Sequence, residues 1–165
     1  MLAEPRIAAE TDLRKAVMTL IDSPPQNNMK ASAFIVASAA IVLLLGLAHL
    51  LYTFRGPNLH PRDPELTAEM MKISPVITSE TTMWRVWIGL NATLGLGLIL
   101  FAGVFGYLAI VHREFLFGSW FLLAFGFALL LAYGAVAKLY FFSSPFRGIV
   151  LAAVLYLVGI VANFA

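Results

Sequence analysis

The stretch VWIGLNATLGLGLILFAGVFGYLAIV, residues 86–111, decides the fold of this chain. Its 26 residues carry no charge, and an α-helix of that length is about 39 Å long at 1.5 Å per residue. The hydrocarbon layer of a bilayer is about 30 Å thick, and roughly 20 apolar residues are needed to cross it. Residues 86–111 are therefore predicted to form a transmembrane helix.

Three further apolar runs have the same character and cover residues 31–54, 115–142 and 146–164. Their only charged side chains, Lys138 and Arg147, lie near run ends, where long cationic stems reach the lipid headgroups. Hydrophobic residues make up 61% of the 165-residue chain and charged residues 12%, against about 45–50% and 25% in soluble domains. This composition disfavours a soluble helical protein, and the continuous runs disfavour a β-barrel of alternating strands. Four membrane helices are predicted.

The segments between the runs predict how the helices are arranged. The connections at residues 112–114 and 143–145 are very short, and helices joined so tightly pack as antiparallel neighbours. We therefore expect an all-α integral membrane protein, an up-down four-helix bundle formed by residues 31–165. The loop at residues 55–85 is the long connection, and Asp63 followed by Pro64 predicts a short surface helix near 64–72.

Residues 1–30 are predicted to form an amphipathic N-terminal tail. Between Pro5 and Ile21 the apolar side chains follow helical spacing and the charged ones take the opposite side. Pro24 and Pro25 cannot continue a helix and end this segment. Two uses stay open: the helix lies on the lipid surface, or it docks against a partner subunit.

Polar side chains are few within the predicted helices. His49, Asn91 and Lys138 each stand about four or five residues from the loop-side end of a helix, so the rise per residue places them at one depth. Burying a polar side chain in lipid costs free energy, so such a side chain usually has a hydrogen-bonding partner or a functional role. The candidate polar pocket consists of these three residues together with Tyr52, Arg85 and Trp87.

This group of polar residues has three interpretations. In the first, His49 and Asn91 hydrogen-bond each other or a backbone carbonyl, Lys138 reaches the headgroups, and the helices are held in register. In the second, the group lines a pocket for a quinone-like molecule or a lipid headgroup, or passes a proton through His49. In the third, it contacts a partner.

Small residues recur every four positions on two of the helices. Gly89, Thr93 and Gly97 form one stripe, and Gly148 and Ala152 begin another that continues through Tyr156, Gly159 and Asn163. Small residues let helix backbones approach closely in lipid. The stripes indicate either packing inside the bundle or contact with another subunit.

Several kinds of chemistry find no support in the sequence. His49 and His112 are predicted near opposite ends of the bundle, about 25–30 Å apart, so they cannot ligate one haem together. No cofactor is predicted, although ligation of haem or a pigment by a single histidine stays open. The chain has no cysteine for thiolate chemistry, its net charge of +2 is spread without a basic cluster for nucleic acid, and no catalytic template is present.

Three segments carry a family resemblance: AHLLYTF at residues 48–54, Ser74-Pro75, and TTMWRVWIGLN at residues 81–91. Together they resemble a group of small bacterial four-helix membrane proteins without an established activity, which are DoxX-like in layout. The resemblance runs from the first helix through the third and implies a four-helix fold in the bacterial inner membrane. In that group a histidine follows the asparagine of the second helix, whereas Ala92, Thr93 and Leu94 follow Asn91 here. A two-histidine function is therefore not implied.

These observations predict a non-catalytic accessory or structural subunit of a larger membrane complex. Its expected partners are membrane lipids and other membrane subunits, with no role for nucleic acid. The alternative is a small lipophile-binding or quinone-binding membrane protein, or an oxidoreductase, that uses the pocket near His49, Asn91 and Lys138.

Overall fold

The computed structural model of the protein describes residues 26–164, with side chains from Met29 onward, and all regular elements in that range are helices. The helices are α1 (Gln26–Phe54), α2 (Pro64–Met70), α3 (Met83–Val111), α4 (Arg113–Gly118), α5 (Trp120–Tyr140) and α6 (Ser143–Phe164). Four of them, α1, α3, α5 and α6, are long and apolar enough to cross a membrane, as the sequence predicts. The amphipathic helix predicted between Pro5 and Ile21 lies outside the described residues.

Side-chain caps set the starts of two helices. Asp63 has an extended backbone, and its carboxylate accepts a hydrogen bond of 2.9 Å from the Glu65 backbone N–H, so α2 begins at Pro64 as expected. Thr82 likewise accepts from the Arg85 backbone N–H at 3.4 Å, and α3 begins at Met83, a few residues ahead of the apolar run 86–111, as a cap in residues 79–82 predicts. The cap places this helix start in the loop, ahead of the apolar run.

The prediction of one continuous helix over residues 115–142 is wrong. The chain forms the short helix α4 and then α5, and Ser119 between them has an extended backbone with φ −109° and ψ 99°. The Ser119 hydroxyl accepts a hydrogen bond of 3.3 Å from the Leu122 backbone N–H and so caps α5. A serine that bonds local backbone in this way competes with helix continuation, and apolar runs do not reveal it. Leu116 in α4 is fully buried, so the short helix packs against the bundle.

Helix α1 packs against both α3 and α6, and α6 packs against α5. The α1–α3 contact is close because Gly46 has no Cβ: one placed there would lie 3.0 Å from the Gly95 carbonyl oxygen. On the other side of α1, the Ser38 hydroxyl donates a hydrogen bond of 2.7 Å to the Ala152 carbonyl. Inside the bundle the rings of Phe105 and Tyr156 meet edge to face, 5.7 Å between centroids.

The small-residue stripe on α6 faces α1. A Cβ on Gly148 would meet Leu45 at 2.9 Å, and one on Gly159 would meet Ile35 at 2.9 Å. This stripe therefore serves packing within the chain. The stripe on α3 is mixed: a Cβ on Gly89 would have no neighbour within 4 Å among the described residues, whereas one on Gly97 would lie 2.8 Å from the Tyr133 hydroxyl oxygen of α5.

Candidate functional site

The close α1–α3 contact brings two of the predicted site residues together. Nε2 of His49 lies 3.2 Å from Oδ1 of Asn91, and Nδ2 of Asn91 donates a hydrogen bond of 2.8 Å to the Trp87 carbonyl one turn earlier in α3. Because an amide oxygen can only accept, Nε2 of the neutral His49 ring carries the hydrogen in this arrangement. The His49–Asn91 pair thus links the two helices through one side-chain hydrogen bond.

The His49–Asn91 pair is largely shielded from its surroundings. Asn91 is buried and His49 is half-buried. Thr53, also buried, donates a hydrogen bond of 2.7 Å from its hydroxyl to the His49 carbonyl. Both the oxygen and the nitrogen of the Asn91 amide are occupied within the bundle, as a polar side chain in lipid requires. This geometry holds α1 and α3 in register.

The loop between α1 and α3 folds over the neighbouring end of α3. The Trp87 indole N–H donates a hydrogen bond of 2.9 Å to the Leu59 carbonyl. The His60 ring meets the Trp84 ring edge to face, with 4.7 Å between centroids. Trp87 therefore connects the loop to the helix turn on which Asn91 lies.

Tyr52 and Arg85 are the other two residues predicted around the pocket, and neither joins the His49–Asn91 pair. Both are exposed, and neither side chain makes a hydrogen bond or an ion pair with another residue in the described range 29–164. Their positions near the ends of α1 and α3 suit aromatic and cationic side chains at a lipid–water boundary.

Lys138 occupies a different part of the molecule. Its Nζ lies 5.2 Å from the centre of the Phe146 ring, between α5 and α6, and the described residues show no hydrogen bond from it to His49 or Asn91. A cavity of about 300 Å³ adjoins Lys138, and neither His49 nor Asn91 lines it. The six predicted residues therefore do not form a single pocket.

This cavity between α5 and α6 is a feature that the sequence reasoning missed. The cavity exists because the side chains of Gly134, Ala135 and Ala153 are small. Lys138 lies one helical turn after Gly134 and Ala135 in α5. The sequence signal that could have indicated this cavity is the presence of small residues on two consecutive helices together with a lysine near a helix end.

Within residues 26–164, no group of three or more histidine, aspartate or glutamate side chains is arranged to hold a metal ion. His112 lies at the C-terminal end of α3, where its Nε2 is 3.4 Å from the Tyr107 hydroxyl, far along the helix from Asn91.

Comparisons of the chain with models of known protein families, with curated proteins and with solved structures find no match. The DoxX-like resemblance stays a prediction, and the function has to be inferred from the residues of this chain.

Proposed function

We propose that this protein is a non-catalytic accessory subunit of a larger membrane complex and that the loop between α1 and α3 contacts its partner. The observation that carries the proposal is the exposure of Val76 and Ile77. Val76 is fully exposed and Ile77 is 92% exposed, although both are apolar and both lie outside the membrane-spanning helices.

Hydrogen bonds hold this part of the loop in one conformation. The Thr78 backbone N–H donates to the Pro75 carbonyl at 3.2 Å, which closes a turn around Val76 and Ile77. The Met83 backbone N–H donates to the Ile73 carbonyl at 2.8 Å and closes the base of the loop. A backbone ordered in this way presents its side chains in a fixed arrangement and loses little further conformational entropy on binding.

Three more apolar side chains in the same loop are half exposed: Leu66, Met71 and Ile73. Together with Val76 and Ile77 they form what we call the loop surface. Exposed apolar side chains in numbers outside the lipid are typical of a surface that another molecule covers. Because the loop begins after Phe54 and ends at Met83, both within reach of the membrane boundary, a partner anchored in the same membrane fits this position.

The polar groups inside the helices also favour a structural role. His49 bonds Asn91, Ser38 bonds the Ala152 carbonyl, and Thr93 donates to the Gly89 carbonyl at 2.8 Å. Each of these hydrogen bonds joins helices or satisfies a polar side chain within its own helix, which stabilises a bundle in lipid.

The proposal includes an up-down order of the four spanning helices in a bacterial inner membrane. The connections between spanning helices at residues 112–119, which include α4, and at residues 141–142 support that order, because they are too short for the chain to recross the membrane. On this arrangement the loop surface lies on one side, and the amphipathic N-terminal tail is a second contact on the other.

Native-mass analysis of gently solubilised membranes tests the accessory role. The tagged full-length chain is expected to migrate in a complex much larger than itself. The double variant Val76→Ser/Ile77→Ser should shift the protein to its own mass, because the loop surface loses its two most exposed apolar side chains.

The matched control is Glu80→Gln, which changes an exposed polar residue in the same loop and should leave the complex intact. Migration of the unchanged chain only at its own mass, or full retention of the complex by the double variant, would contradict the proposal.

A further inference from the structure

A groove with an apolar floor lies between α5 and α6. Leu130 and Ile149 form the floor and are almost completely buried, and Gly134 and Ala153 provide the space above them. The rim of the groove is more exposed than the floor, since Leu131 is 54% exposed. The cavity of about 300 Å³ therefore opens sideways, toward the lipid that surrounds the bundle.

The groove is long and narrow. Its lining residues on α5 extend from Leu130 to Lys138, which is about 12 Å along the helix at 1.5 Å per residue. Its volume lies at the lower limit of about 300–1,000 Å³ for ligand pockets, so it holds part of a larger molecule. Such a shape suits one extended hydrocarbon chain that lies along the helices.

Lys138 lies at the end of this groove that is nearest the C-terminus of α5 and the N-terminus of α6. Among residues 29–164 the only ion pair joins Lys72 to Glu69, so no carboxylate of that range neutralises Lys138. Its described partner is the face of the Phe146 ring, 5.2 Å from Nζ. A cation over an aromatic face keeps its charge and several of its hydrogen-bond donors available to an anion.

A second, smaller cavity of about 140 Å³ continues from the first. It shares Lys138 and Phe146 with the larger cavity and ends at Ser143, the first residue of α6. The ammonium group thus stands between an apolar groove and a mouth at the connection between α5 and α6, two helices long and apolar enough to cross a membrane.

We propose that the α5–α6 groove binds a phospholipid with an anionic headgroup, one acyl chain lying against Gly134 and Ala153 and the phosphate at Lys138. The apolar length and the cation Lys138 at one end of the groove match the two parts of such a lipid. A neutral lipophile would use the groove and leave the charge of Lys138 unpaired, and a soluble anion would use Lys138 and leave the groove empty. This inference is independent of the accessory role.

Competition between two lipids tests the proposal. The full-length chain, purified in mild detergent, is mixed with equal amounts of dioleoylphosphatidylglycerol and dioleoylphosphatidylcholine, and native mass spectrometry measures the ratio of the two bound. The anionic lipid should be preferred. Lys138→Gln should lower the preference about fivefold, the effect of one lysine beside an anionic lipid.

Lys72→Gln is the matched control, since Lys72 lies in the loop and pairs with Glu69, and it should leave the ratio unchanged. Lys138→Arg retains the charge and should retain the preference. Ala135→Leu places a larger side chain in the groove and should reduce the retention of both lipids.

Equal binding of the two lipids by the unchanged chain would overturn the proposal. So would an unaltered ratio for a folded Lys138→Gln variant, or unaltered retention for Ala135→Leu. Retention of a neutral lipophile in place of the anionic lipid would also overturn it.

Discussion

At the scale of single residues, the hydrogen bond between His49 and Asn91 joins the side chains of two candidate membrane-spanning helices. It joins side chains 42 positions apart in the chain, and Asn91 is almost fully buried. Asn91 is itself held by its bond to the Trp87 carbonyl. The pair therefore acts as a fixed link between α1 and α3, and its strength can be measured directly.

A double-mutant cycle of His49→Leu and Asn91→Leu should give a coupling free energy of about 0.6–1.7 kcal/mol, the range of hydrogen bonds between membrane helices. The measurement is the free energy of unfolding in detergent or bicelles. As a control, His49→Leu combined with Thr93→Val should be additive, because Thr93 bonds only the Gly89 carbonyl of its own helix. A coupling within about 0.3 kcal/mol of zero would show that the pair does not stabilise the bundle.

At the scale of helices, packing depends on glycines that lie under bulky side chains. A Cβ on Gly126 of α5 would overlap the Tyr156 hydroxyl of α6 and lie 2.6 Å from the Phe105 ring of α3. Tyr156 is fully buried, so its ring is covered by neighbouring side chains and cannot swing outward without displacing them. Gly103 on α3 is the opposite case, since a Cβ there would meet no atom of residues 29–164 within 4 Å.

We expect Gly126→Ala to lower the free energy of unfolding by about 1–3 kcal/mol, as overpacking of a filled core does. Gly103→Ala should be neutral or stabilising by up to about 1 kcal/mol, because alanine is the better helix former and no neighbour is displaced. Unfolding of both variants in the same bicelles gives the comparison. Equal effects of the two substitutions would contradict the packing described for Gly126.

Tyr156→Phe should cost little stability, because within the described residues the buried Tyr156 hydroxyl has no hydrogen-bond partner. In the Gly126→Ala background it should restore part of the lost stability by removing the nearest colliding atom. The restoration is expected to be partial since the Phe105 ring stays in place. A large loss from Tyr156→Phe alone would indicate that the hydroxyl is bonded in the membrane.

At the scale of the whole molecule, the two ends of the bundle offer different surfaces. In the proposed up-down order, the end with the α1–α3 loop carries both the loop surface and the mouth beside Lys138, and both are formed by segments that connect spanning helices. The connection at His112 is short, and α4 after it is packed by the buried Leu116 and Phe117. In this arrangement the partner subunit and the anionic headgroup both bind at the end of the bundle that carries the α1–α3 loop.

The proposed up-down order can be tested with single cysteines, since the chain has none of its own. Ser79→Cys and Ser144→Cys should react with a membrane-impermeant maleimide from the same side of oriented vesicles, and Glu114→Cys from the opposite side. All three positions are exposed, so access does not depend on unfolding. Labelling of Ser79→Cys and Ser144→Cys from opposite sides would overturn the order of helices.

Much of the local structure could be predicted because its causes lie within short segments. The uncharged runs predict where helices cross the lipid, and Asp63 before Pro64 predicts the start of α2. Ser119 shows the limit of that reasoning. An apolar run has the same composition whether or not a serine hydroxyl caps a backbone N–H inside it, so the break between α4 and α5 was not foreseen.

The sequence by itself determined four helices long and apolar enough to cross a membrane, and it predicts a depth for each polar residue from the rise per residue along one helix. It could not determine the direction in which a side chain points around the bundle, which depends on the neighbour each helix packs against. The contact of Gly46 with Gly95 directs His49 toward Asn91, and the packing of α5 on α6 directs Lys138 toward Phe146. Tertiary structure therefore decided that residues predicted at one depth belong to two separate places.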